Sequence, residues 1–166
     1  MLETKFGSLS DFTKGGIEIV DDDPRHYAFS NVYEVANKSA PFEKVVVGMN
    51  RQYTLEAVRV EGQSAWQTCP HDEFALVMDG EVTIRLVKLT DARAFHAEDD
   101  TGSRSITGDP VGQPMGMIRA KRGHMALLPG DTAYQFQSDA PGVILLQTIK
   151  GPESIERWAD ICITDV

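Results

Sequence analysis

In the stretch WQTCPHDEFALVMDGEV, residues 66 to 82, a thiol, an imidazole and a carboxylate stand at alternate positions: Cys69, His71 and Glu73. All three side-chain types are ligands for zinc or non-haem iron. In an extended strand, residues two apart share a face, with alternate Cα atoms about 7 Å apart. A strand through this segment would therefore aim the three groups the same way. Pro70 interrupts the run, however, and His71 also reads as a polar side chain bonded to Glu73 or to a distant tyrosine, Tyr134. Trp66 stands at the edge of the same segment. It is either core or one wall of a pocket, since aromatic rings are favoured where flat ligands or partner chains become buried.

The other histidines carry less. His124 follows Arg122-Gly123 and reads as surface or interface. His96 lies in an acidic loop and reads as solvated. His26 follows Pro24-Arg25 and reads as capping an arm. There is no nucleophile elbow, no glycine-rich phosphate loop and no CxxC pair.

The elements that must position these groups are mostly strands. Residues 1–40 are polar, with one short strand expected at Gly16–Val20, and read as an N-terminal arm. Residues 41–166 read as a single domain. EKVVVGM is β-rich, and YTLEAVRV (residues 53–60) alternates with period two. Phe74 to Met78 is a continuous apolar run followed by Asp79-Gly80, a strong hairpin signal, and Val82, Ile84 and Leu86 alternate on the return. Residues 90–116 break the pattern, being rich in Asp, Gly, Ser and Pro. Regular β structure resumes at Met117–Ala120, continues through His124–Leu128 and ends at Pro129-Gly130. Strands bearing Tyr134 and Phe136 and then Val143–Ile149 follow. PESIERWADICI spaces Ile155, Trp158, Ala159 and Cys162 as an amphipathic helix opening at Pro152 and Glu153. Short strands, Gly/Pro turns and a terminal helix point to an all-β jelly roll.

The 166 residues are 42% hydrophobic and 25% charged, enough for one real core. A net charge of −9 disfavours nucleic acid and anionic membranes. The start, MLETKFGSLSDF, lacks a basic region and an apolar segment, and no apolar run is long enough for a bilayer. These features, with Cys69 and Cys162 read as free thiols, give a cytoplasmic expectation.

The blocks GQSAWQTCPHDEFALVMDGEV and RGHMALLPGDTAYQF resemble the two motifs of the cupin superfamily. That resemblance implies a double-stranded β-helix barrel, here with a C-terminal helix. In the family, two histidines separated by one residue, a glutamate and a third histidine hold a divalent metal. Aligned on Gly80, the histidine positions fall on Gln67 and Cys69, the glutamate on Glu73, and the third histidine on Tyr134. Only the glutamate matches, so no metal is the leading expectation. A site rebuilt from Cys69, His71 and Glu73 is the alternative.

A narrower resemblance runs from about Tyr27 to Cys162. FSNVYEVANKSAPFEKVVVGMN, HDEFALVMDGEV, RGHMALLPGDTAYQF and LLQTIKGPESIERWADIC look like the small subunit of two-component hydroquinone 1,2-dioxygenases. The resemblance implies a heterotetramer of small and large cupin subunits, with Fe(II) in the large partner and none in this chain. The implied reaction is extradiol-type opening of hydroquinone by O₂ to 4-hydroxymuconic semialdehyde, in aromatic-compound degradation. Trp66, His71 and Tyr134 are the residues here that would wall or back the substrate pocket. Three alternatives stand beside it: a hydroxyquinol-type dioxygenase, a self-sufficient metal cupin, and a non-enzymatic cupin that binds a small ligand.

Overall fold

The computed structural model describes residues 6–13, 18–22 and 31–158. Ten strands curl into a jelly-roll barrel: β1 (Lys44–Asn50), β2 (Tyr53–Gln63), β3 (Trp66–Thr68), β4 (Glu73–Asp79), β5 (Glu81–Leu89), β6 (Arg104–Ile106), β7 (Gly112–Lys121), β8 (Met125–Leu128), β9 (Thr132–Ile149) and β10 (Ser154–Ile155). This is the all-β cupin architecture expected from the two motifs. The long strand β9 ties the barrel together: it pairs antiparallel with β2, β3, β4 and β5 along its length.

The period-two pattern of β2 sets the inside of the barrel. Thr54, Glu56, Val58 and Val60 are buried, while Tyr53 and Leu55 face out. Following that inner face from Thr54 and Glu56 to Val58 and Val60, the lining changes from polar to apolar. The same change runs from Glu73 to Ala75 and Val77 on β4, and from Thr148 to Leu146 and Ile144 on β9. The barrel thus has a polar end and an apolar end. The apolar end includes Val58, Val77, Ile84, Leu128, Phe136 and Ile144. Each such side chain taken from water adds roughly 1.5–3 kcal/mol of favourable transfer.

Two covers close parts of the outer surface. A helix, α1 (Val32–Lys38), lays Val35 over Val45 of β1 and Ala57 of β2. Asn31 caps it by accepting the Tyr33 amide at 2.9 Å, and Lys38 pairs with Glu34 at 2.8 Å. The sequence places this segment within the polar arm, although Asn31 with Glu34 three residues on is a helix-start signature. On the other side, Trp66, Ala92 and Phe95 pack against Leu89, Ile106 and Ala133.

Several expectations need correction. Asp79-Gly80 is not a hairpin turn, because β4 pairs with β8 and β9 while β5 pairs with β7 and β9. It is a corner at which the chain changes partners. Gly80 takes φ +81, where an added Cβ would sit 3.1 Å from Gly142 Cα. Strand β7 begins at Gly112, five residues before the expected start. Its N-terminal half contains Gly112, Pro114 and Gly116 and is broken by a register shift opposite Leu86 and Val87. The break at residues 90–111 also holds a short 3-10 turn (Ala92–Ala94) and strand β6.

Helix initiation at Pro152-Glu153 is likewise not seen. The chain turns there, and Ser154–Ile155 pair in parallel with Lys44 and Val45. Beyond Trp158 the expected helix lies outside the described residues. So do Cys162, His26 and part of the strand expected at Gly16–Val20, whose described part (18–20) is not in a strand. No helix among the described residues is long and apolar enough to cross a membrane.

Candidate functional site

The motif segment breaks after Thr68, and residues 69–72 form an irregular loop before β4. Cys69, His71 and Glu73 therefore do not lie along one strand face. Cys69 and Glu73 turn into the polar end of the barrel and are buried, whereas His71 is only partly covered. The loop is pinned against the Pro129-Gly130-Asp131 corner: the Gly130 amide donates to Asp72 Oδ1 at 2.8 Å, and the Asp131 amide to the Cys69 carbonyl at 2.9 Å. A Cβ on Gly130 would meet the His71 backbone at 3.1 Å, which is why glycine serves there.

His71 is fully committed to the protein. Its Nε2 accepts the Gly102 amide at 3.0 Å. An N–H can only donate, so the neutral ring carries its proton on Nδ1, which donates to the Asp72 carbonyl at 3.0 Å. The Cys69 sulfur lies 3.4 Å from the ring. The expected bond from His71 to Glu73 or Tyr134 is not formed.

Tyr134 instead donates to Glu73 Oε2 at 2.6 Å, with both side chains buried. Burial pushes the Tyr134 hydroxyl well above its usual range, and the negative charge of Glu73 adds to this. The Cys69 thiol is pushed up for the same two reasons, burial first and Glu73 second. As arranged here, the His71 ring is bonded to Gly102 and Asp72, and the Glu73 carboxylate to Tyr134. Among the described residues, no group of three or more His, Cys, Asp or Glu side chains is arranged to hold a metal ion.

Sequence reading missed the groups that complete this polar end. Lys44 of β1 is 3% exposed, and its Nζ donates to Ser103 Oγ at 2.5 Å and to Glu153 Oε2 at 3.1 Å. Gln67 Nε2 donates to the same Glu153 oxygen at 3.3 Å, and the Ser105 amide to Glu153 Oε1 at 2.6 Å. Glu56 accepts from Ser154 at 2.5 Å and Thr54 at 3.2 Å. Burial pushes the Glu56 carboxyl up, in spite of the Ser154 bond and the nearby Lys44 charge. For Glu153, burial works upward too. Lys44's charge and the Ser105 bond outweigh it and hold the carboxyl below its usual range. One signal was available in the sequence: Glu56 shares the parity of Val58 and Val60 on an alternating strand.

The remaining candidates lie apart. Trp66 is half-buried in the Leu89–Ile106–Ala133 cluster. His124 is exposed in the turn between β7 and β8, where its Nδ1 accepts the Lys121 amide at 2.9 Å. His96 is not solvated but buried, 3.3 Å from Asp131 Oδ1. It borders an open cleft of about 670 Å³ with Pro70, Arg93 and Asp131.

Comparison with models of known protein families gave no match, and comparison with curated proteins gave none either. Solved structures gave many. A chain of hydroquinone 1,2-dioxygenase PnpCD, in complex with Cd²⁺ and 4-hydroxybenzonitrile, is 51% identical, with a TM-score of 0.92 over 99% of this chain and 98% of that one. A chain of hydroquinone 1,2-dioxygenase from Sphingomonas sp. TTNP3, with 4-hydroxybenzoate bound, is 47% identical, with a TM-score of 0.97 over the full length of both. A longer chain of PnpCD, in complex with Fe³⁺, shares the fold alone: 13% identity and a TM-score of 0.62 over 87% of this chain and 40% of that one. With two full-length relatives at about half identity and the same barrel, this chain belongs to the hydroquinone 1,2-dioxygenase family.

Proposed function

We propose that this chain is the small, iron-free subunit of a cytoplasmic non-haem iron dioxygenase. In this reading the enzyme opens hydroquinone to 4-hydroxymuconic semialdehyde, with both atoms of O₂ retained in the product. The observation that carries the proposal is the closed polar end of this barrel, whose ligand positions are taken up by Tyr134–Glu73 and by the Lys44 network. PnpCD also contains a second, longer chain of the same fold, which makes a larger barrel the natural place for Fe(II). The iron would bring the phenolate and O₂ together on open coordination positions.

The part left to this chain is packing and orientation. Trp66 and His71, which lie apart in this chain, would each wall the aromatic pocket from its own side of the partner contact, His71 held in one tautomer by Gly102 and Asp72. Tyr134 would stand behind them, keeping Cys69 and Glu73 fixed. Assembly as a heterotetramer with the larger subunit has support in an uncovered apolar area on the outer sheet face. Leu55, Gln147, Phe74 and Leu127 form one row across β2, β9, β4 and β8, and Leu145, Leu76 and Met125 the next. Leu55, Phe74, Met125 and Leu127 remain 39–66% exposed there.

The test is to purify the chain alone and together with the larger family subunit, then measure iron and hydroquinone turnover in each. The reading expects iron and ring opening only in the pair. About one iron per chain and turnover by the single chain would overturn it.

A further inference from the structure

The polar end of the barrel brings three carboxylates together: Glu56, Glu73 and Glu153. Glu56 and Glu73 are 1% and 0% exposed. Carboxylates removed from water need a proton, a cation or a full set of donors. Donors alone fall short here, since Glu56 Oε2, Glu73 Oε1 and Gln67 Oε1 are buried without a partner. Among the described residues the one buried lysine or arginine is Lys44, and every residue at a metal-ligand position of the motif is tied to it. Gln67 shares the Glu153 oxygen that accepts from Lys44. Tyr134 and Lys44 both reach Ser103. The Lys44 charge also acts on Cys69, behind burial and Glu73, and Glu73 is bonded to Tyr134. The chain's topology delivers the pieces: the parallel pairing of β1 with β10 sets Glu153 beside Lys44.

We infer that the Lys44 ammonium is the resident cation of this barrel, carrying the charge-balancing role that a metal ion has in a metal-bearing barrel of the same fold. The inference rests on the iron-free reading above. Without the ammonium, the carboxylates would repel one another and the ligand-position residues would lose their common anchor. Glu153 is the partner through which this can be examined. A glutamine there keeps an oxygen for the Ser105 amide and offers an N–H to Gln67, whose Oε1 is free to accept after an amide flip.

The experiment is a thermal-denaturation cycle on the full chain: wild type, Lys44→Met, Glu153→Gln and the double variant, with metal content measured on the wild type. Lys44→Met, close in volume but uncharged, is expected to lower the melting temperature by about 10 °C or more. Adding Glu153→Gln is expected to return at least half of that loss. A Lys44→Met protein that melts with the wild type, or a double variant worse than Lys44→Met, would overturn the inference. Should Lys44→Met fail to fold, a folded double variant supports it and an unfolded one overturns it. Iron in the wild-type chain would overturn both the inference and the iron-free reading, whereas an iron-free chain whose Lys44→Met variant melts with the wild type would overturn the inference alone.

Discussion

Tyr134 and Glu73 meet across the barrel at 2.6 Å, one from β9 and one from the start of β4, both sealed from solvent. This bond occupies two of the four positions at which the cupin pattern places metal ligands. Tyr134→Phe would strip Glu73 Oε2 of that donor, and Oε1 already has none. The expected loss is about 2–4 kcal/mol, the cost of orphaning a buried acceptor that can be charged. Adding Glu73→Gln should make the double loss smaller than the sum of the two single losses. Urea unfolding of the four proteins measures this, and simple additivity would argue against direct coupling.

Cys69 should be chemically silent in the folded protein. Its thiol is buried and held protonated by burial and by Glu73, while the thiolate is the reactive form. In a Cys162→Ser background, which leaves Cys69 as the sole thiol, reaction with a disulfide reagent at pH 7.5 is expected to be about 100-fold slower than in denaturant. Comparable rates in the two states would mean that the polar end opens readily.

Gly102 and Gly151 lie back to back. A Cβ on Gly151 would come 2.6 Å from Gly102 Cα, and one on Gly102 would come 2.4 Å from Gly151 Cα. Gly102 also sits at φ +70 and gives its amide to His71. Gly151→Ala is therefore expected to cost about 2–3 kcal/mol, the scale of overpacking against a backbone that cannot yield. The shift should appear at the His71 ring signals in NMR. An alanine variant of wild-type stability would show that the two loops part freely.

Asp79 joins the described N-terminal segment to the barrel. It accepts the Leu9 amide at 2.8 Å, the Gly80 amide at 3.0 Å and Arg122. Burial pushes its carboxyl upward, but these bonds win and hold it below the usual range. A carboxyl lowered in the folded state stabilises at neutral pH and loses that contribution as pH falls through the folded value. Asp79→Asn should thus cost about 1–2 kcal/mol at pH 7, with the gap to wild type closing as pH falls through the carboxylate range. A gap independent of pH would assign the loss to shape instead of charge.

The outer face gives a prediction about assembly. Phe74→Glu and Leu127→Glu change side chains that face solvent on adjacent strands. The isolated chain should keep its stability within about 0.5 kcal/mol. Co-purification with the larger subunit should be lost, and unchanged co-purification would move the interface elsewhere.

Much of the fold was legible because strands advertise themselves by parity. The alternation in YTLEAVRV predicted β2, and the apolar run at 74–78 predicted β4. The failures have local causes. The Asp79-Gly80 turn has hairpin residues, yet whether its flanking strands pair is decided by β8 and β9, far away in sequence. The first half of β7 was missed because Gly112, Pro114 and Gly116 are turn residues tolerated on a bulged strand. At the site, the departure of Gln67, Cys69 and Tyr134 from the family's ligand residues was readable in the sequence. Lys44 was not, because a lysine beside three valines looks like a strand-end surface residue until the return of the chain at 153 covers it.

Strand β9 borders four other strands and follows all of them in the chain. As the chain leaves the ribosome, β1–β2, β4–β8, β5–β7 and β3–β6 can each pair on their own, but none can be joined into a barrel before residues 132–149 arrive. Until then the inward faces carrying Val58, Ala75 and Ile84 have no common roof. The barrel therefore cannot close before residues 132–149 are made, and until then its inward apolar faces stay uncovered.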